Sequence, residues 1–327
     1  MFDLEMLILS FAGGMFGAAI GGLPSFVLCG VAAVVGLAVF WATGEDTFVN
    51  LVAWGPLLGP HIAFAGGVGA AAYAAKKGKL EGSGKDIVTS LMGLDSPDVL
   101  LVGGVFGALG YTVAWALGLL GNIGGFPWTN LPSASIIVTA IVARLVFGST
   151  GVFGKVREGA NRWLAAPEAG CCWLPWQFKP AQIILISVAW GLPIAFLVRS
   201  MPELFTFGFG LAAVALVFLG TGSKFPVFHH MGIMAGMGTL VTGNIWWGVT
   251  FAIVAGFLGE FFAATFLYHG DTHIDPPAAA VVATWTLVAF FATTPLAKLT
   301  GVVPVAVAAG VAVVGYLVFS ALQGKKA

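Results

Sequence analysis

Charge is the scarcest property of this sequence. Only 9% of its 327 residues are Asp, Glu, Lys or Arg, and the 14 basic side chains balance the 14 acidic ones. A chain with no basic excess, and no basic residues interleaved with aromatics, carries no nucleic-acid surface. Cysteine is nearly missing as well. Cys29 lies in an apolar run and Cys171 and Cys172 are neighbours, so the three cannot build a disulfide framework and are expected to pack or to sit incidentally at a surface. Alternating polarity, the mark of a membrane barrel, is absent from runs such as "LVGGVFGALGYTVAWALGLLG". The loop "KKGKLEGSGKD" (76–86) has neither the glycine spacing nor the Ser or Thr after Gly-Lys that a phosphate loop needs, and no H-E-x-x-H occurs. The start, "MFDLEMLILSF", has Asp3 and Glu5 where a cleaved leader would have basic residues, and a retained first helix is expected.

What fills the sequence is apolar: 59% of residues, with a mean hydropathy of +0.99. Repeated runs of about 18 or more such residues predict an all-α polytopic membrane protein whose first partner is the lipid bilayer. Runs bounded by Gly, Pro or charge fall near 5–22, 25–42, 48–76, 98–120 and 133–150, then near 181–200, 203–221, 225–243, 245–268, 277–297 and 301–322. About eleven transmembrane helices follow. With the amino terminus extracytoplasmic, Lys76, Lys77, Lys79, Lys85, Lys155, Arg157, Arg162, Lys179, Lys224, Lys325 and Lys326 fall on the cytoplasmic side, as does the carboxy terminus. Arg199 and Lys298 oppose them, and Arg144 lies near an inner helix end. This bias is the one expected of a multi-pass protein of the plasma membrane. Residues 151–179, basic and rich in tryptophan, read as an amphipathic interfacial linker.

The chain also repeats itself. "NLPSASIIVT" (130–139) returns as "DPPAAAVVAT" (275–284), "GALGY" (107–111) as "GFLGE" (256–260), and "AVFWATG" (38–44) as "LVFLGTG" (216–222). More loosely, "HIAFAGGVG" (61–69) returns as "HMGIMAGMG" (230–238). The implied units are 1–150, 180–299 and an extra carboxy-terminal helix with a basic tail in 300–327. Five spans per unit make the second copy enter from the opposite side, a 5+5 inverted repeat. Such a layout is similar in general outline to urea transporters and to several secondary transporters. Sites then lie where interrupted helices of the two halves meet.

Four interruptions stand out: "WGPLLGPHIAF", "SKFPVFHHMG", "FPWTNLPS" and "HGDTHIDPP". All five histidines, His61, His229, His230, His269 and His273, occur in or beside them. Asn130, with Thr129 beside it, and Asp275 are candidate helix caps whose dipole ends suit an anion or a carbonyl oxygen. Glu260 is a carboxylate inside an apolar run, where it needs a partner or a proton, and its repeat mate is Tyr111. The candidate substrate-binding residues are therefore Asn130, Asp275, His61, His230, Tyr111, Glu260 and Thr129. In an extended strand His269, Asp271, His273 and Asp275 share one face, and imidazole with carboxylate suits a divalent metal ion, the one cofactor these residues suggest. The expected function is transport of a small solute or ion, proton- or metal-coupled. Alternatives are a passive channel for a small polar solute, a membrane-embedded metal enzyme and a structural subunit of a larger complex; a homo-oligomer fits any of them.

Overall fold

The computed structural model describes residues 2–156, 158 and 170–324. Among them the regular structure is helical apart from one short hairpin, β1 (Asn122–Ile123) with β2 (Phe126–Pro127). The first half contains α1 (Leu4–Ile20), α2 (Gly22–Thr43), α3 (Ala63–Lys76), α4 (Pro97–Gly118) and α5 (Leu131–Phe147). The second contains α6 (Pro180–Ser200), α7 (Phe207–Ala215), α8 (Val217–Gly220), α9 (His229–Thr242), α10 (Ile245–Phe262) and α11 (Pro276–Ala292), and α12 (Val302–Gly324) follows.

Helical elements occupy all eleven expected intervals, but they are unequal. Six stretches are long and apolar enough to cross a membrane by length and composition: Gly22–Thr43, Pro97–Gly118, Pro180–Ser200, Pro202–Gly220, Ile245–Leu267 and Val302–Gln323. Apolar α1, α5 and α11 have 17 residues each, and α3 and α9 only 14. Glycine and proline cause the shortening. The expected span 48–76 divides into a π-helical turn at Val49–Ala53, an irregular stretch containing Gly55, Pro56, Gly59 and Pro60, and then α3. Its counterpart begins with extended backbone at 223–228 before α9.

In lipid there is little hydrophobic drive between helices, so close approach of small residues must hold them. The buried face of α1 is Ser10, Gly13, Gly14, Gly17 and Ala18, and α4 answers with Gly103, Gly104, Gly107 and Gly110. Within the first half α1 packs on α3 and α4, α3 on α4 and α5, and α4 on α5. Within the second, α6 packs on α9 and α10, α9 on α10 and α11, and α10 on α11. The halves join through α2 on α7 and α5 on α11. Their shared core draws on Phe26, Ile136, Phe209, Met234 and Val281. Helices α5 and α11 run antiparallel, because residues before α5 meet the later turns of α11 and the residues before α11 meet the end of α5. The Thr129 hydroxyl donates to the Val282 carbonyl (3.3 Å), Trp285 Nε1 to the Pro127 carbonyl (3.0 Å), and Ser149 N–H to Asp271 (2.6 Å).

Of the expected interfacial linker, residues 157 and 159–169 lie outside the described residues, as do Arg157, Arg162, Lys325 and Lys326. In its last part Cys171, Leu174, Gln177 and Phe178 are buried. Gln177 accepts from the Val227 N–H (2.8 Å) and donates back to the Val227 carbonyl (2.9 Å), and Trp176 Nε1 donates to the Phe225 carbonyl (3.0 Å). These bonds replace the helical partners that the break before α9 lacks, a requirement for non-helical backbone away from water.

Candidate functional site

Two helix starts are capped in the same way. Asn130 Oδ1 accepts from the Ser133 N–H (3.0 Å) and Asp275 Oδ2 from the Ala278 N–H (2.8 Å), with nearly equal backbone angles of φ −74°, ψ 103° and φ −72°, ψ 111°. Each satisfies one of the orphan amides of its helix. The starts of α3 and α9 have no side-chain cap. Instead, His61 and His230 stand there, each against a glycine of the neighbouring long helix. A methyl group on Gly110 would come within 1.6 Å of the His61 carbonyl oxygen, and one on Gly259 within 2.8 Å of His230 Nε2. Backbone contact therefore requires glycine at 110, whereas at 259 the His230 ring would have to shift; the two glycines lie directly before Tyr111 and Glu260.

A cavity of about 310 Å³ lies between the halves. The starts of α3, α5, α9 and α11 contribute Phe64, Asn130 with Ser133, His229, and Asp275 with Ala278. Its wall is mostly apolar, aliphatic and aromatic side chains together, and ring contacts run continuously from Trp54 to Phe209 (5.6 Å), Phe26 (5.4 Å) and Phe64 (5.6 Å), then to His273 (5.9 Å). His273 Nε2 lies 3.1 Å from Asp275 Oδ1.

Of the sequence candidates, Asn130, Asp275 and His273 line this cavity. The others stand behind it or away from it. His61 is replaced at the wall by Pro60 and Phe64, and His230 by His229. The Nδ1 atoms of His61, His229 and His230 have no hydrogen-bond partner among the described residues. Thr129 is fully buried against α11. Tyr111 lies apart, its hydroxyl accepting from the Asp3 N–H (3.0 Å). Glu260 is 3% exposed and accepts from the Tyr268 hydroxyl and from Trp173 Nε1 (3.3 Å). Trp173 is itself a wall residue, so one indole joins Glu260 to the cavity.

The four residues proposed as metal ligands do not form a shell. Asp271 turns away to the end of α5, accepting from Ser149 N–H (2.6 Å), Ser149 Oγ (2.9 Å) and Thr150 Oγ1 (2.7 Å). Partial burial raises its pKa, but the bonds from Ser149 and Thr150 outweigh that and hold it below the usual carboxylate value. His273 pairs with Asp275, the His269 carbonyl accepts from the Lys155 N–H (3.0 Å), and the segment bends instead of extending. Among the described residues no three His, Cys, Asp or Glu side chains are grouped to hold a metal ion.

Sequence reasoning used Arg144 only as a topological marker, yet it is completely buried. Its Nε donates to Thr272 Oγ1 (2.9 Å), Nη1 to the carbonyls of Phe266 (2.5 Å) and Val152 (3.0 Å), and Nη2 to the Thr272 carbonyl. The next residue, His273, donates its N–H to the Gly84 carbonyl (3.1 Å). One arginine thus ties the end of the first half to the segment leading into Asp275. A lone Arg within an apolar run was the available signal.

The sequence model of a protein family described as "Family of unknown function (DUF7973)" matches residues 1–166 and 165–307. The chain belongs to that family. The two matched segments meet at 165–166, in the stretch between α5 and α6. No curated protein and no solved structure matches the chain.

Proposed function

We propose that this protein is an integral membrane transporter of a small solute or ion, with its site at the interface of two inverted five-helix repeats. The observation that carries the reading is the cavity into which four helix starts, two from each half, contribute residues. Helices too short to cross alone, preceded by irregular backbone, are how transporter folds build sites near the middle of a bilayer. Three features support the repeat: matched caps at Asn130 and Asp275, the same packing scheme within each half, and the antiparallel pairing of α5 with α11. On this reading the eleven helical elements are the expected spans, α12 is the extra helix, and the protein is multi-pass in the plasma membrane with its amino terminus outside.

Proton coupling falls to Glu260, which sits one indole away from the cavity. Metal coupling and metal-dependent catalysis lose their basis because the ligand set is dispersed. The apolar wall disfavours a channel for small polar solutes, whose lost hydration it cannot replace. The test is a thermal-stability screen of purified protein against ions and small solutes, followed by counterflow of the stabilising solute in proteoliposomes. Saturable counterflow, abolished by cavity-filling Val281→Trp in a variant that still folds, is expected. A stabilising solute that is chemically converted, or never crosses, refutes transport.

A further inference from the structure

The composition of the cavity wall points to a substrate class. Seven Phe and Trp side chains line it, among them Phe26, Trp54, Phe64, Phe209, Trp173 and Trp285, and Asp275 is the only acidic residue in its lining among the described residues. Among the described residues no Lys or Arg lines it. The helix starts that could attract an anion at Asn130 and Asp275 have already given an amide to their own caps. A negative ligand would therefore meet a carboxylate and no basic side chain.

Asp275 has the opposite need. Its side chain is 15% exposed, Oδ1 meets His273 Nε2 and Oδ2 accepts the Ala278 N–H. An ionised carboxylate accepts about four hydrogen bonds, so roughly half its capacity stays open. A carboxylate held against apolar walls gains most from a counter-charge. Beside this carboxylate, the rings in contact from His273 through Phe64 to Phe26 offer aromatic surface for a cation. The volume, about 310 Å³, suits a small organic molecule.

We propose that the cavity binds a small organic ammonium ion with an apolar or aromatic body, its charged head on Asp275 and its body against the aromatic side chains of the wall. This rests on the transport reading only for its physiological meaning; binding itself is tested without flux. Isothermal titration of the detergent-purified protein with 2-phenylethylammonium, 2-phenylethanol and phenylacetate compares one body with three heads. The ammonium ion is expected to bind at least about tenfold more tightly than the alcohol, and the anion more weakly than either. Asp275→Asn keeps a cap of the kind Asn130 already provides, and should bring cation and alcohol within roughly twofold. Should Asp275→Asn fail to fold, Phe209→Leu leaves the cap intact and should weaken the cation more than the alcohol. Equal or tighter binding of the alcohol or the anion, no binding of any of the three, or an ammonium preference surviving in Asp275→Asn overturns the proposal. Ammonium binding without counterflow supports it while refuting transport; counterflow of another solute with no ammonium binding does the reverse.

Discussion

Replacing Arg144 with methionine keeps an unbranched side chain but removes the charge and every donor. The carbonyls of Val152, Phe266 and Thr272 and the Thr272 hydroxyl then lose the bonds that Arg144 gives them. Bonds from a charged donor are worth about 1.5–3 kcal/mol each, but they are not additive, and breaking a buried charged network costs about 3–5 kcal/mol in total. For a 327-residue chain such a loss lowers the melting temperature by on the order of 5 °C. Arg144→Lys, which reaches fewer acceptors and has no planar fork, should lose about half as much. Gly270→Ala perturbs the same place without removing a donor, since its methyl group would come within 2.3 Å of the guanidinium.

The assay is thermal unfolding in detergent together with amide hydrogen exchange. If Arg144 ties the end of α5 to the segment before α11, exchange should rise first in 148–155 and 266–273 and only later in α1 and α4. A uniform rise would instead mean general destabilisation. Wild-type stability and wild-type exchange in Arg144→Met would refute the reasoning, because a fully buried arginine with four hydrogen bonds cannot be lost silently if the contacts are real.

Asn130→Ala should cost about 1 kcal/mol of stability in thermal unfolding and Asn130→Asp almost nothing, because both Asn and Asp cap; equal losses would remove the cap from the account. Glu260→Gln should keep the fold, since an amide still accepts from Trp173, but abolish the pH dependence of uptake. Unchanged pH dependence with normal uptake would leave Glu260 a packing residue. Reporters inserted after residue 125 and after residue 270 should lie on opposite sides of the membrane; both on one side would sink the inverted repeat.

How much of this was legible beforehand depends on whether local chemistry decided it. The caps at Asn130 and Asp275 were readable because an Asn or Asp just ahead of a Pro-containing helix start has few competing uses. The breaks were readable from glycine and proline, but the spans they shorten were not: where a helix resumes depends on partners such as Gln177, fifty residues from the backbone it bonds. The extended strand assumed for the metal ligands did not form, for a related reason. Alternate residues of an extended segment share a face, whereas Asp271 is drawn aside by Ser149 and Thr150, more than a hundred residues away in sequence. Aromatic residues gave no warning of a cavity, since Phe26, Trp54 and Phe209 resemble any other lipid-facing or core side chain until packing sets them around one space.

For the proposed inverted repeat, the remaining question is why paired halves do not have paired chemistry. Corresponding positions keep their backbone roles: Asn130 and Asp275 both cap. Charge is not shared. Asp275 stands where the first half has neutral Asn130, and Glu260 where it has Tyr111, so both acids fall in the second half. Capping tolerates either residue, so geometry alone does not demand the acid at 275. A symmetric cavity with two carboxylates would repel itself, and one with none would have no electrostatic preference. Keeping the scaffold paired while placing charge on one side gives the cavity a direction: a ligand with one charged head and an apolar body has a single best orientation in it.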